Sequence, residues 1–203
     1  MSGQAARDER VRSAGGFSIV ELMFGISIAG TITAIAIPQA LHALDEYRTR
    51  AAAHYLAMRL AEARVGAIKR STYVGLRLEA VGADYQFTEV ADGNGNGLLT
   101  ADIQGGEDPA IAAPDMLAWH FQGVTFGILA GVPDANGVAA GTSDGVRLGS
   151  SALLSMNPNG SSSSGTLYMH GRRRAQYAVR VLGETGRIRV LRYDDRRLVW
   201  VQQ

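Results

Sequence analysis

The chain has 203 residues, 46% of them hydrophobic, and a formal charge of +1; that suffices for one globular domain plus an added element, but not for two full-sized domains. Near-neutrality means that the total charge points to no nucleic acid, acidic ligand or membrane surface. The absence of cysteine excludes disulfide frameworks, thiolate zinc sites and cysteine nucleophiles together.

The first sixteen residues are polar and carry Arg7, Arg10 and Arg12 against Asp8 and Glu9. Phe17 to Ile37 follows as an apolar run whose one charged side chain is Glu21. At 1.5 Å per helical residue the run crosses a hydrocarbon core of roughly 30 Å, and the basic excess before it keeps the leader cytoplasmic. An ordinary signal peptide has a shorter apolar region, of roughly 7 to 15 residues, with cleavage beyond it. A carboxylate at the bilayer centre costs roughly 2.5 to 3.5 kcal/mol, so a plain anchor leaves Glu21 unexplained.

Gly16, then Phe17-Ser18-Ile19-Val20-Glu21-Leu22, then a long apolar stretch closed by Pro38 resembles the class III signal of type IV pilins and pseudopilins. The resemblance implies that a prepilin peptidase cuts after Gly16 on the cytoplasmic side, that Phe17 becomes the N-methylated terminus, and that the apolar helix is retained. It further implies that Glu21 meets the terminal amine of the same or a neighbouring subunit during filament assembly, since a buried charge is tolerated beside an opposite one.

From Gln39 to Arg70, Leu41, Leu44, Ala51, Tyr55, Met58, Val65 and Ile68 recur at helical spacing among charged residues. The pattern predicts an amphipathic helix with this stripe packed under a soluble domain, Pro38 kinking a continuing helix. His42 and His54 lie on it without a third ligand or an HExxH pattern and read as solvated or partly buried helix residues.

After Ser71 the period falls to two. Strands are predicted over Tyr73–Leu78, Tyr85–Val90, Leu117–Phe126, Val146–Met156, Thr166–Met169, Tyr177–Leu182, Arg187–Tyr193 and Leu198–Val201, with a hairpin at Glu184-Thr185-Gly186-Arg187. The expected fold is α+β: a long amino-terminal helix on two small antiparallel sheets. Its divisions are a leader over 1–16, a transmembrane or filament-core helix over 17–38, an amphipathic helix over 39–71 and a periplasmic β-rich domain over 72–203.

Asn157-Pro158-Asn159-Gly160-Ser161, Gly165-Thr166-Leu167-Tyr168 and Gly186-Arg187-Ile188-Arg189-Val190 are similar to stretches of the GspH/FimT family of minor pseudopilins and minor pilins. Asp92, Asn94 and Gly97 match a loop common there, while the glycine-rich loops Ala91–Pro114 and Gly127–Gly145 are long departures. Asp92, Asn94 and Asn96, with Asp102 as a further oxygen, alternate as calcium ligands do. Ile103 stands where an EF-hand needs glutamate, and no predicted helix flanks the loop; a turn accepting unusual backbone angles is the other reading.

Nine arginines lie between Gly171 and Gln203, among them Arg172, Arg173, Arg174, Arg187 and Arg189, against three acids. Phosphate contact with DNA is one reading, and Gly186-Arg187-Ile188-Arg189 fits the Gly-Arg-x-Arg motif of FimT-like DNA-uptake pilins. A solvated strand face or a contact to neighbouring subunits is the other. No nucleophile elbow, P-loop or dinucleotide fingerprint occurs, and His120 and His170 have no evident partner, so no enzyme is expected. The resemblance implies an inner-membrane, single-pass minor pseudopilin of type II secretion. Its partners would be other pilin-like subunits, the prepilin peptidase and an inner-membrane assembly platform. A FimT-like minor pilin binding DNA is the alternative, and no cofactor beyond that calcium is implied.

Overall fold

A computed structural model of the chain describes residues 16, 18–140, 144–149 and 151–203. The chain divides into two compact units, one ending at Leu41 and the other running His42–Gln203. Helix α1, Ile19–Arg70, has 52 residues and continues through Pro38. Its start is capped by Ser18, whose hydroxyl accepts the Val20 N–H at 3.3 Å. It ends in a Schellman turn: Thr72 N–H donates to the Ala67 carbonyl and Ser71 N–H to that of Ile68, with Ser71 left-handed at φ 53°.

Among the described residues there are two antiparallel sheets. The first comprises β1 (Val74–Val81), β2 (Asp84–Ala91), β3 (Asp115–Met116) and β6 (Leu153–Met156), in the order β3-β2-β1-β6. The second comprises β4 (Thr125–Phe126), β5 (Val146–Arg147), β7 (Gly165–His170), β8 (Gln176–Leu182), β9 (Arg187–Asp194) and β10 (Val199–Gln202), in the order β10-β9-β8-β7-β4 with β5 also on β7. Helices α2 (Thr100–Gly105) and α3 (Leu117–His120) are short.

Two predicted strands are corrected. Leu117–Phe126 is not one strand: Leu117 turns inward and is buried, α3 forms there, and only Thr125–Phe126 pairs, with β7. Val146–Met156 is two strands of different sheets, β5 on β7 and β6 on β1. The chain crosses between them through Gly149 at φ 77° and Ala152 at φ 48°, backbone states that end a strand.

The largest correction concerns the helix. Its buried residues are Thr49, Ala52, Ala53, Leu56, Leu60, Ala63 and Ala67, and the apolar ones among them join Leu76, Phe87, Leu154, Met156, Leu167, Met169, Tyr177, Val179 and Val190 of both sheets in one core. Alanines let the helix axis approach the sheets closely. Within this unit, the bulky stripe predicted to be inward is largely outside: Leu44, Met58, Val65 and Ile68 are exposed, and at a period of 3.6 Met58 and Val65 fall opposite the alanines with Leu44 and Ile68 on the flanks. From that stripe Tyr55 does pack against the core.

A second small core lies on the other face of the second sheet, where Ile128, Val132, Tyr168, Ala178 and Tyr193 are buried with Trp200 against them. The glycine-rich segment after Phe126 covers this face. Trp200 Nε1–H donates to the Pro133 carbonyl at 3.0 Å, Ala135 N–H to the Tyr168 hydroxyl at 2.8 Å, and Arg180 to the Asn136 side chain at 2.9 Å.

Candidate functional site

The amino-terminal segment presents apolar side chains to every side: Ile19, Val20, Leu22, Met23, Phe24, Ile26 and Ile32 are all exposed. Among the described residues, α1 is the helix long and apolar enough to cross a membrane. The hydroxyls within it are satisfied locally. Ser27, Thr31 and Thr33 donate to the carbonyls of Met23, Ser27 and Ala29 at 2.7–2.8 Å, as apolar surroundings require. Glu21 has no such partner among the described residues and flanks a shallow apolar groove lined by Leu22, Gly25, Ile26 and Ala29. Gly16 is exposed; Phe17 and leader residues 1–15, and with them the predicted charge partner of Glu21, lie outside the described residues.

In the second unit the outer helix side carries Tyr47, Met58 and Val65 at 70%, 50% and 48% exposure. Met58, Ala61, Val65 and Gly66 line an open apolar groove edged by Glu62 and Lys69.

The Asp92 loop is held by its own bonds. Asp92 Oδ1 accepts the N–H groups of Asn94 and Gly95, and Oδ2 that of Gly97. The buried Asp108 accepts those of Gly93 and Leu99. Asn94 and Asn96 both donate to Asp102 at 2.9 Å, and these bonds hold the Asp102 carboxyl below its ordinary value. Among the described residues no three His, Cys, Asp or Glu side chains are placed to hold a metal ion. Asn94 also donates to Glu107 at 3.0 Å, so the loop's side chains bond one another within a turn. The structure also corrects the flank, since α2 follows the loop directly.

The arginines do not form one patch. Arg187 begins β9 opposite Leu182, whereas Arg172, Arg173 and Arg174 lie in the β7–β8 turn beyond Gln176. The two groups are thus at opposite ends of β8, about 20 Å apart at the rise of an antiparallel strand. Arg189 faces Arg180 directly across the β8–β9 ladder, and alternation puts Arg187 on the same face. At the other end, Asp45 accepts the Arg172 and Arg173 N–H groups. A cleft there is lined by acids as well as bases, including Asp45, Glu46, Asp194 and Asp195 beside Arg174, Arg192 and Arg196.

Gly186 has a structural reason of its own. It is left-handed at φ 58°, as the hairpin predicts, and a Cβ there would overlap the Gly160 carbonyl oxygen. Arg64 of α1 fastens both loops, donating to the Gly160 carbonyl at 2.8 Å and the Thr185 carbonyl at 3.1 Å. Sequence reasoning missed Arg64, and also Glu46, which accepts the Tyr177 hydroxyl at 2.6 Å and Arg192 Nε at 2.7 Å. Burial, the bond to Glu46 and its charge together hold the Tyr177 hydroxyl far above its ordinary value. The one signal was a charged residue near the inward helix side. Both histidines without an evident partner have one. His120 Nε2 meets Asp115 Oδ1 at 2.8 Å, an aspartate that also accepts the Tyr55 hydroxyl, and His170 Nδ1 meets the Gly171 carbonyl at 2.8 Å. His170 Nε2 also lies 3.5 Å from the Thr125 hydroxyl.

These elements define a class: an α+β chain with a helix of membrane-spanning length whose later turns pack on antiparallel sheets. No family model matches the chain, and no curated protein does. Among solved structures it is similar to two of the minor pseudopilin EpsH from the type II secretion system of Vibrio cholerae. One has 17% identity over 71% of this chain and 97% of that one, with a TM-score of 0.44. The other has 15% identity over 72% and 97%, with a TM-score of 0.45.

Proposed function

We propose that this chain is a minor pseudopilin that assembles with other pilin-like subunits into a short periplasmic filament of a type II secretion system. In this reading a prepilin peptidase cuts after Gly16, leaving a methylated amine at Phe17. The 17–38 segment anchors the subunit in the inner membrane, and an assembly platform moves it into the filament. The observation that carries the reading is apolar surface on α1 that its own chain leaves open: around Ile19–Ile37, and along the outer stripe of Met58 and Val65. Burying such surface against neighbouring helices removes it from lipid or water.

Glu21 supports the same reading: among the described residues it has no bond of the kind that Ser18, Ser27, Thr31 and Thr33 make locally. Glu21→Ala should fractionate with the membrane like the wild type but be recovered severalfold less in sheared, cross-linked filaments. Wild-type recovery would refute the role given to Glu21.

A FimT-like DNA receptor is the second reading, favoured by Arg187 and Arg189 lying on one face of β9. A gel shift across a salt series tests it. Binding that weakens with salt and is lost in Arg187→Ala/Arg189→Ala supports it; no shift at low salt ends it.

A further inference from the structure

The mixed-charge cleft beside the β7–β8 turn is built wholly from the second unit. Its volume is about 390 Å³, within the roughly 300–1,000 Å³ of small-ligand sites. Helix α1 contributes His42 to its wall, the β7–β8 turn Arg174, and the β9–β10 turn Asp195 and Arg196.

The charges of the cleft fall into two sets. Three acids are committed to the fold. Asp45 takes the N–H groups of Arg172 and Arg173, Glu46 the Tyr177 hydroxyl and Arg192 Nε, and Asp194 the N–H groups of Arg196 and Arg197. The Arg174 and Arg196 guanidiniums, the Asp195 carboxylate and the His42 imidazole make no hydrogen bond or ion pair among the described residues, and all four residues are exposed. What the fold leaves uncommitted is therefore two cations, one anion and a neutral-to-basic ring. A simple anion placed there would meet Asp195, and a simple cation would meet Arg174 and Arg196. A molecule carrying both a phosphate and an ammonium answers both sets, two guanidiniums on one phosphate being a strong charge-assisted arrangement.

The position of the cleft along the chain selects among such molecules. His42 stands four residues after Pro38, which closes the apolar run; even fully extended, that is about 14 Å of chain. In a membrane-anchored chain the layer just beyond the hydrocarbon core holds the lipid headgroups and is roughly 5–8 Å thick. We propose that this cleft takes the headgroup of a phospholipid bearing a phosphate and a primary ammonium, as in phosphatidylethanolamine, with Arg174 and Arg196 on the phosphate and Asp195 on the ammonium. The site rests on the membrane anchor of the reading above, and it would fix the second unit against the bilayer surface before assembly.

The test is native mass spectrometry of the full chain released from nonionic detergent micelles containing equal amounts of phosphatidylethanolamine, phosphatidylglycerol and phosphatidylcholine with the same acyl chains. Phosphatidylethanolamine should be retained roughly fivefold more than either of the others, because phosphatidylglycerol lacks the ammonium and the trimethylated ammonium of phosphatidylcholine has no N–H to donate to Asp195. Arg174→Gln/Arg196→Gln should lower that retention roughly fivefold with an unchanged melting temperature, both side chains being exposed. Asp195→Asn should abolish the preference over phosphatidylglycerol. Glycerophosphoethanolamine, the soluble headgroup, should leave the lipid bound at equal concentration; displacement would make the ligand a soluble phosphate ester and overturn the lipid assignment. Equal retention of the three lipids, or wild-type retention by the double arginine variant, would overturn the site. Alkaline carbonate extraction from phosphatidylcholine vesicles reads the anchor by itself. A chain that is extracted overturns the anchor and the site together, whereas a resistant chain without lipid preference overturns the headgroup site alone.

Discussion

Gly186 shows how one residue carries two meanings. As part of Gly-Arg-x-Arg it suggests a recognition motif, but its left-handed backbone and the nearness of the Gly160 carbonyl require glycine whatever the arginines do. Gly186→Ala should therefore lower stability by about 2 kcal/mol, the order expected of a strained backbone position, as read by chemical denaturation. An unchanged midpoint would show that the hairpin and the Asn157–Gly160 loop can separate at no cost. Asp92 is a similar case. Its alternation with Asn94 and Asn96 looks like a ligand set, yet its oxygens are engaged by the loop's own N–H groups. Neither distinction is visible in the sequence, because each depends on what the chain brings alongside.

Elements were legible where local pattern and burial agree. The hairpins β1–β2 and β8–β9 appear where alternating runs flank Gly82 and Gly186, both left-handed. The segment at Leu117–His120 was misread because its apolar residues fit a strand equally well, and only the core decides that Leu117 turns in. The join between α1 and the second sheet runs through Tyr177, Glu46 and Arg192. Tyr177 is more basic folded than unfolded, so its contribution is complete below pH 10, the ordinary tyrosine value, and is lost as pH rises above it. Tyr177→Phe should cost about 1.5 kcal/mol at neutral pH and flatten the alkaline side of the stability profile. Tyr55, Tyr85 and Tyr168 are shifted the same way, so part of the alkaline loss persists. A mutant profile parallel to the wild type through pH 11 would remove Tyr177 from this role.

At the scale of the whole molecule, α1 serves two surfaces. Its alanine side builds the core of the second unit, and its outer side carries Met58 and Val65 without cover. Substitutions should separate the two. Leu60→Ala, which empties a fully buried position, should cost about 2–5 kcal/mol. Met58→Lys/Val65→Lys should alter the melting curve little, by about 0.5 kcal/mol per site, yet abolish recovery in cross-linked assemblies. A double variant that still assembles would place the contact face elsewhere on the subunit.

The sequence alone determined what depends on neighbours along the chain: the length and polarity of the amino-terminal run, the anomalous Glu21, the long helix and the hairpin at Gly186. Tertiary structure decided which side of the helix meets the sheets, since periodicity marks an apolar stripe but cannot distinguish an inward one from an outward one. Small alanines fit closer to the sheets than Met58 and Val65 do. It also decided that the arginines are separated, because antiparallel pairing puts neighbouring turns at opposite ends of a strand.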